Sequence, residues 1–109
     1  MAVAISVIII GAIIAVLGII NMTGNISSLH WYHRKNVTEE NRKTFGRLVG
    51  AGTLTVGLSV AVFGGALAVF ESVGNELFVL IGTALLLVGI AVGFIISFCA
   101  MFKYNGGIF

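Results

Sequence analysis

Residues 48–70 read LVGAGTLTVGLSVAVFGGALAVF, a run with no charged side chain and no proline. It meets the roughly 20 residues that an α-helix needs to cross a hydrocarbon layer of about 30 Å. Two more runs repeat the pattern: from Ala2 to Ile20 the only polar side chain is Ser6, and from Leu77 to Phe102 there is no charge. None of the three alternates polar with apolar as a lipid-facing barrel strand must, and three strands could not close a barrel. Transmembrane helices are the remaining solution.

Of the 109 residues, 59% are apolar and 9% charged, against roughly a quarter charged in soluble domains. The expected class is therefore an all-α integral membrane protein with three transmembrane helices in a single domain, 1–109. The expected layout is a first span at 2–21, a loop at 22–37, a second span at 38–70, a link at 71–76, a third span at 77–102 and a tail at 103–109. The third span would measure about 39 Å if wholly helical, so it must tilt or project into the headgroups. A link this short makes the second and third spans an antiparallel hairpin. A cleaved signal peptide at 1–20 is disfavoured, because no basic residue precedes Ala2 and the run exceeds the usual apolar region.

The basic residues predict the orientation. Arg34, Lys35, Arg42, Lys43 and Arg47 flank the first connection, Lys103 follows the third span, and the second connection has none. The positive-inside bias puts the first connection and the C-terminus in the cytoplasm, and the N-terminus and the Glu71–Glu76 link outside. The expected location is a bacterial or archaeal plasma membrane. The sequons at Asn21, Asn25 and Asn36 would then go unmodified at cytoplasmic positions, and sugar on Asn36 would invert the topology.

The loop holds the most varied chemistry. His30, Trp31, Tyr32, His33, Arg34 and Lys35 read as an interfacial segment, with Arg47 reaching the headgroups from the second span. The aromatic rings suit that level and the cations can meet anionic phosphates or a partner. His30 and His33 are three apart, but no second cysteine or nearby carboxylate completes a metal set, so no metal and no cofactor is expected. Thr38 reads as a helix cap, with Glu39 and Glu40 against the positive end of the dipole and Glu39 spaced to pair with Lys43. Cys99 is the only cysteine, and its apolar neighbours predict a buried thiol.

Glycine supplies the most specific pattern. Gly11 and Gly18, then Gly50, Gly57 and Gly64, then Gly82 and Gly89 recur every seven residues. Seven positions advance an α-helix by two turns with about 20° of drift, so each set lines one face. Ala4, Ala15, Gly46, Thr53 and Gly93 extend these lines. Helices in lipid associate by close packing, and small residues let backbones approach. Each groove can be filled by a helix of the same chain or of another copy.

The apolar runs 2–20, 48–70 and 77–102 hold no Asp, Glu, Lys, Arg or His, the usual marks of a transport path. Thr55 and Ser59, four apart, share a face and are the candidate pore-lining hydroxyls, while any helix hydroxyl can bond the carbonyl one turn earlier. No nucleophile–base pair stands out, so no enzyme is expected.

The run Glu39-Glu40-Asn41-Arg42-Lys43, leading into Gly46-Arg47-Leu48-Val49-Gly50, resembles an uncharacterised family of small bacterial three-span membrane proteins. His30-Trp31-Tyr32-His33 departs from that pattern. The resemblance implies an architecture and carries over no functional residue. The function expected is a non-enzymatic membrane protein acting through helix association, as a homo-oligomer or an accessory subunit of a larger complex. The alternative is a small oligomeric channel or transport component with a hydroxyl-lined pore. The expected partners are the lipid bilayer, a second copy or another membrane protein, and anionic lipid headgroups; no nucleic acid is expected.

Overall fold

A computed structural model describes residues 1–26 and 34–107. Among them the chain is all-helical: α1 at Ala2–Met22, α2 at Glu39–Val73 and α3 at Leu77–Tyr104. All three are long and apolar enough to cross a membrane, and three such helices suggest a membrane location. The longest extent is 51 Å, which matches the roughly 52 Å expected of the 35-residue α2 at about 1.5 Å per residue.

Helix ends follow local chemistry. The Thr38 hydroxyl accepts from Asn41 N at 3.3 Å and caps α2. At its far end α2 runs past the apolar stretch through Glu71, Ser72 and Val73, stopping where Gly74 takes a left-handed φ of 78°. Only a residue without a Cβ takes this turn at no steric cost. The link is thus shorter than the sequence predicts. The Asn75 side chain accepts from Leu77 N at 3.0 Å and supports the start of α3.

α2 is the hub, packing against both α1 and α3. Toward α1 it offers Gly46, Gly50, Gly57 and Gly64. A Cβ on Gly57 would lie 2.8 Å from the Gly11 carbonyl oxygen, and one on Gly64 would lie 2.6 Å from Ile8. The reverse also holds, since a Cβ on Gly18 would lie 2.5 Å from Leu54 N. Toward α3 it offers Gly52, Ser59 and Ala66, which meet Gly93, Gly89 and Gly82 respectively. On both sides residue numbers rise along one helix as they fall along its neighbour. All seven heptad glycines therefore meet a helix of their own chain.

The Cys99 thiol is exposed, not buried as its apolar neighbours predict. In a bundle where α3 has one main neighbour, most of its circumference faces outward, and Cys99 falls on that part.

Substitutions should separate the two kinds of glycine. Gly57→Ala forces α1 from α2 and should lower unfolding stability in detergent by about 1–3 kcal/mol, the usual cost of overpacking. Gly65 has nothing within 4 Å of an added Cβ, so Gly65→Ala should be neutral or stabilise by up to about 1 kcal/mol through helix propensity. Denaturant or thermal titration followed by circular dichroism measures both.

Candidate functional site

The basic residues converge at one end of the bundle, where the start of α2, the turn after α1 and the end of α3 meet. Here lies the cluster of buried side chains Ile26, Phe45, Val49, Ala100 and Met101, with Val37 and Tyr104 packed against it. The Phe45 and Tyr104 rings meet edge to face at 6.5 Å. Burial of these apolar groups, at about 25 cal/mol per Å², makes this end a small folded cap.

Polar contacts tie the cap across long sequence separations. After α1 the chain turns at Gly24, and the Gly24 carbonyl accepts from Arg42 Nε at 3.0 Å. Gly46 sits beneath this turn, where a Cβ would run into the Asn21 carbonyl and lie 3.2 Å from Ile26. After α3, Gly106 adopts φ 77°, and Gly107 N donates to the Met101 carbonyl at 3.2 Å. That turn presents Asn105, whose side chain accepts from Asn36 N at 2.8 Å while its backbone carbonyl accepts from Asn36 Nδ2 at 2.9 Å. Asn105 is fully buried and Asn21 nearly so. Buried amides of this kind are strongly stabilising only when fully bonded.

Arg42 and Glu39 pair at 3.2 Å, whereas the i, i+4 spacing predicts Glu39 with Lys43. The Gly24 carbonyl holds the Arg42 guanidinium over Glu39, which takes that carboxylate first. Both side chains are about half-exposed or more, so the pair adds little. Lys43, Arg47 and Lys103 are exposed, and Lys103 Nζ lies 5.3 Å from the Tyr104 ring centroid. Arg34 is half-buried and Lys35 exposed. His30, Trp31, Tyr32 and His33 lie outside the described residues.

The hydroxyls of the apolar helices divide into two groups. Ser6, Thr55 and Ser59 donate to the carbonyls one turn earlier at 2.8, 2.8 and 2.7 Å. Ser97 instead donates across the helix pair to the Val49 carbonyl at 3.4 Å. Thr55 and Ser59 do share a surface groove, with Leu58, Val62 and Leu85. Ser59 is also pressed against Gly89, whose absent Cβ would occupy the position of the Ser59 hydroxyl. Thr53 lies on another side, in a cleft of about 240 Å³ reached by Ile14, Phe94 and Phe98.

Sequence reasoning missed Asn21, Asn105 and the Gly52 stripe. An asparagine closing an apolar run, followed by Gly-Gly as at Asn105, is the signal that was available. No protein-family model matches the chain, and neither a curated protein nor a solved structure matches it. The family resemblance rests on its quoted residues alone.

Removal of the clasp should loosen the cap without melting the helices. Asn105→Ala deletes the acceptor for Asn36 N in a buried site and should cost about 1–3 kcal/mol. Limited proteolysis should then cut between residues 22 and 38 several-fold faster, with helicity by circular dichroism unchanged.

Proposed function

We propose that this chain is a non-enzymatic integral membrane protein that crosses the bilayer three times and works through helix association, as a homo-oligomer or an accessory subunit of a larger complex. The observation that carries the membrane placement is the outward face of every helix. Val3 and Ile13 of α1, Leu58 and Val62 of α2, and Leu80 and Leu87 of α3 stand more than half exposed on helices long enough to span, a surface that water would penalise. The basic cap marks the cytoplasmic end under the positive-inside bias, with Glu71 and Glu76 at the outer end. The reversed order of contacts between α2 and α3 supports an antiparallel hairpin across the bilayer. A bacterial or archaeal plasma membrane suits this arrangement.

Glycine grooves no longer supply the motive for association, since α2 uses them within the chain. Support comes instead from connectivity: α1 and α3 each have α2 as their main neighbour, which leaves their outer faces open to further helices. Packing is favoured over a hydroxyl-lined pore because the Thr55 and Ser59 protons are already given to backbone carbonyls.

Expression in a glycosylating host tests the topology, with Asn36 expected to stay unmodified. Crosslinking and native mass measurement in mild detergent test association. A defined oligomer or a co-purifying membrane protein is expected, and a strictly monomeric species without a partner would count against the reading.

A further inference from the structure

We propose that α2 carries a seat for one anionic phospholipid along an exposed ridge between its two neighbours, with the phosphate at Lys43 and Arg47. An acyl chain runs from there along Ala51, Thr55, Leu58 and Val62. The inference rests on the membrane placement proposed above.

The contacts of α2 leave most of this ridge open, with Lys43 beside Gly24 of the turn after α1 and the far end bordered by Leu85 of α3. Gly46, Gly50, Gly57 and Gly64 meet the α1 side, and Gly52, Ser59 and Ala66 meet α3. Lys43, Arg47, Ala51, Thr55, Leu58 and Val62 follow one another at intervals of four or three, a slanting ridge that drifts by about 120° from Lys43 to Thr55 on a helix of 3.6 residues per turn. Lys43, Arg47, Leu58 and Val62 are exposed, and Ala51 and Thr55 are half-covered. The ridge ends in a groove of about 300 Å³ between Thr55, Leu58, Ser59 and Val62 of α2 and Leu85 of α3.

Charge and depth choose the occupant. Among the described residues, Lys43 and Arg47 make no ion pair, whereas Arg42 is held by Glu39 and the Gly24 carbonyl. Glu40 lies a turn further out and pairs with neither. Two cations at one end of an apolar lane complement a headgroup of net negative charge. From Arg47 to Leu58 is about 16 Å along the helix, close to half of a hydrocarbon core of about 30 Å. A chain anchored at Arg47 would thus reach the groove at the bottom of its own leaflet. The small Ala51 and the internally bonded Thr55 leave the lane smooth and demand no polar partner from the chain.

The test uses full-length protein reconstituted in vesicles of equimolar phosphatidylglycerol and phosphatidylcholine, extracted in mild detergent and read by native mass spectrometry. Wild type should retain one phosphatidylglycerol in preference to phosphatidylcholine. Each cation near a charged surface contributes about fivefold, so K43Q/R47Q should lower that preference by about thirty-fold. K103Q, which removes one charge elsewhere on the cap, should leave it within about twofold, whereas R47Q alone should lower it about fivefold. Leu58→Trp fills the lane without changing charge and should shed the retained lipid, with helicity by circular dichroism confirming its fold. An unchanged preference in K43Q/R47Q, or an equal fall in R47Q and K103Q, would overturn the seat. Alkaline carbonate extraction of the vesicles separates the two readings. Protein stripped by carbonate overturns the membrane placement and the seat together, while retained protein without a phosphatidylglycerol preference overturns the seat alone.

Discussion

The close approach of two helix backbones to α2 is the constraint on which the structure depends. The α1-facing line runs through Gly50, Gly57 and Gly64, and the α3-facing line through Gly52, Ser59 and Ala66. Both have a period of seven, and they are offset by two residues. Two residues turn an α-helix by about 200°, so the two grooves lie on nearly opposite sides. That offset sends α1 and α3 to either flank of α2 and explains why each packs mainly on the hub. In the proposed membrane placement there is no escape from water to drive this, and dispersion between closely spaced backbones takes its place.

The three helices were legible because hydropathy and the absence of charge depend only on local sequence. The α1-facing line was legible as well, since it is written entirely in glycine. Its counterpart toward α3 was hidden because glycine, serine and alanine share it, and Ser59 drew attention as a hydroxyl when its small volume is what α3 uses. A helix hydroxyl can satisfy itself on its own helix, yet Ser97 bonds the Val49 carbonyl of α2, a pairing that no intrahelical spacing announces. The clasp between Asn36 and Asn105 joins residues 69 positions apart, and nothing in either neighbourhood names the other. Cys99 misled for a different reason. Thiols are buried in proteins with thick cores, and a helix with one main neighbour has little interior to offer.

A division of labour along the long axis fits the solvents that the proposed membrane placement would supply at each level. From Gly50 to Ser97 the buried residues are Gly50, Gly52, Gly57, Gly64, Gly82, Gly93 and Ser97, and the buried residues of α1 up to Gly18 are alanine and glycine. Large buried side chains, Phe45, Val49, Ile26 and Met101, occur at the basic end alone among the described residues. Where the surroundings are apolar, burying a large hydrocarbon side chain gains nothing over leaving it in lipid, so small residues that admit a neighbouring backbone win. Where water begins, removing apolar area from it becomes favourable again, and phenylalanine, isoleucine and methionine form a core. The change from one regime to the other falls at Val49 and Gly50, two residues beyond Arg47, where the headgroup level is expected from charge. Two independent observations, the sizes of buried side chains and the placement of cations, therefore change at the same turn of α2, and this is the turn at which the proposed membrane placement would put the boundary.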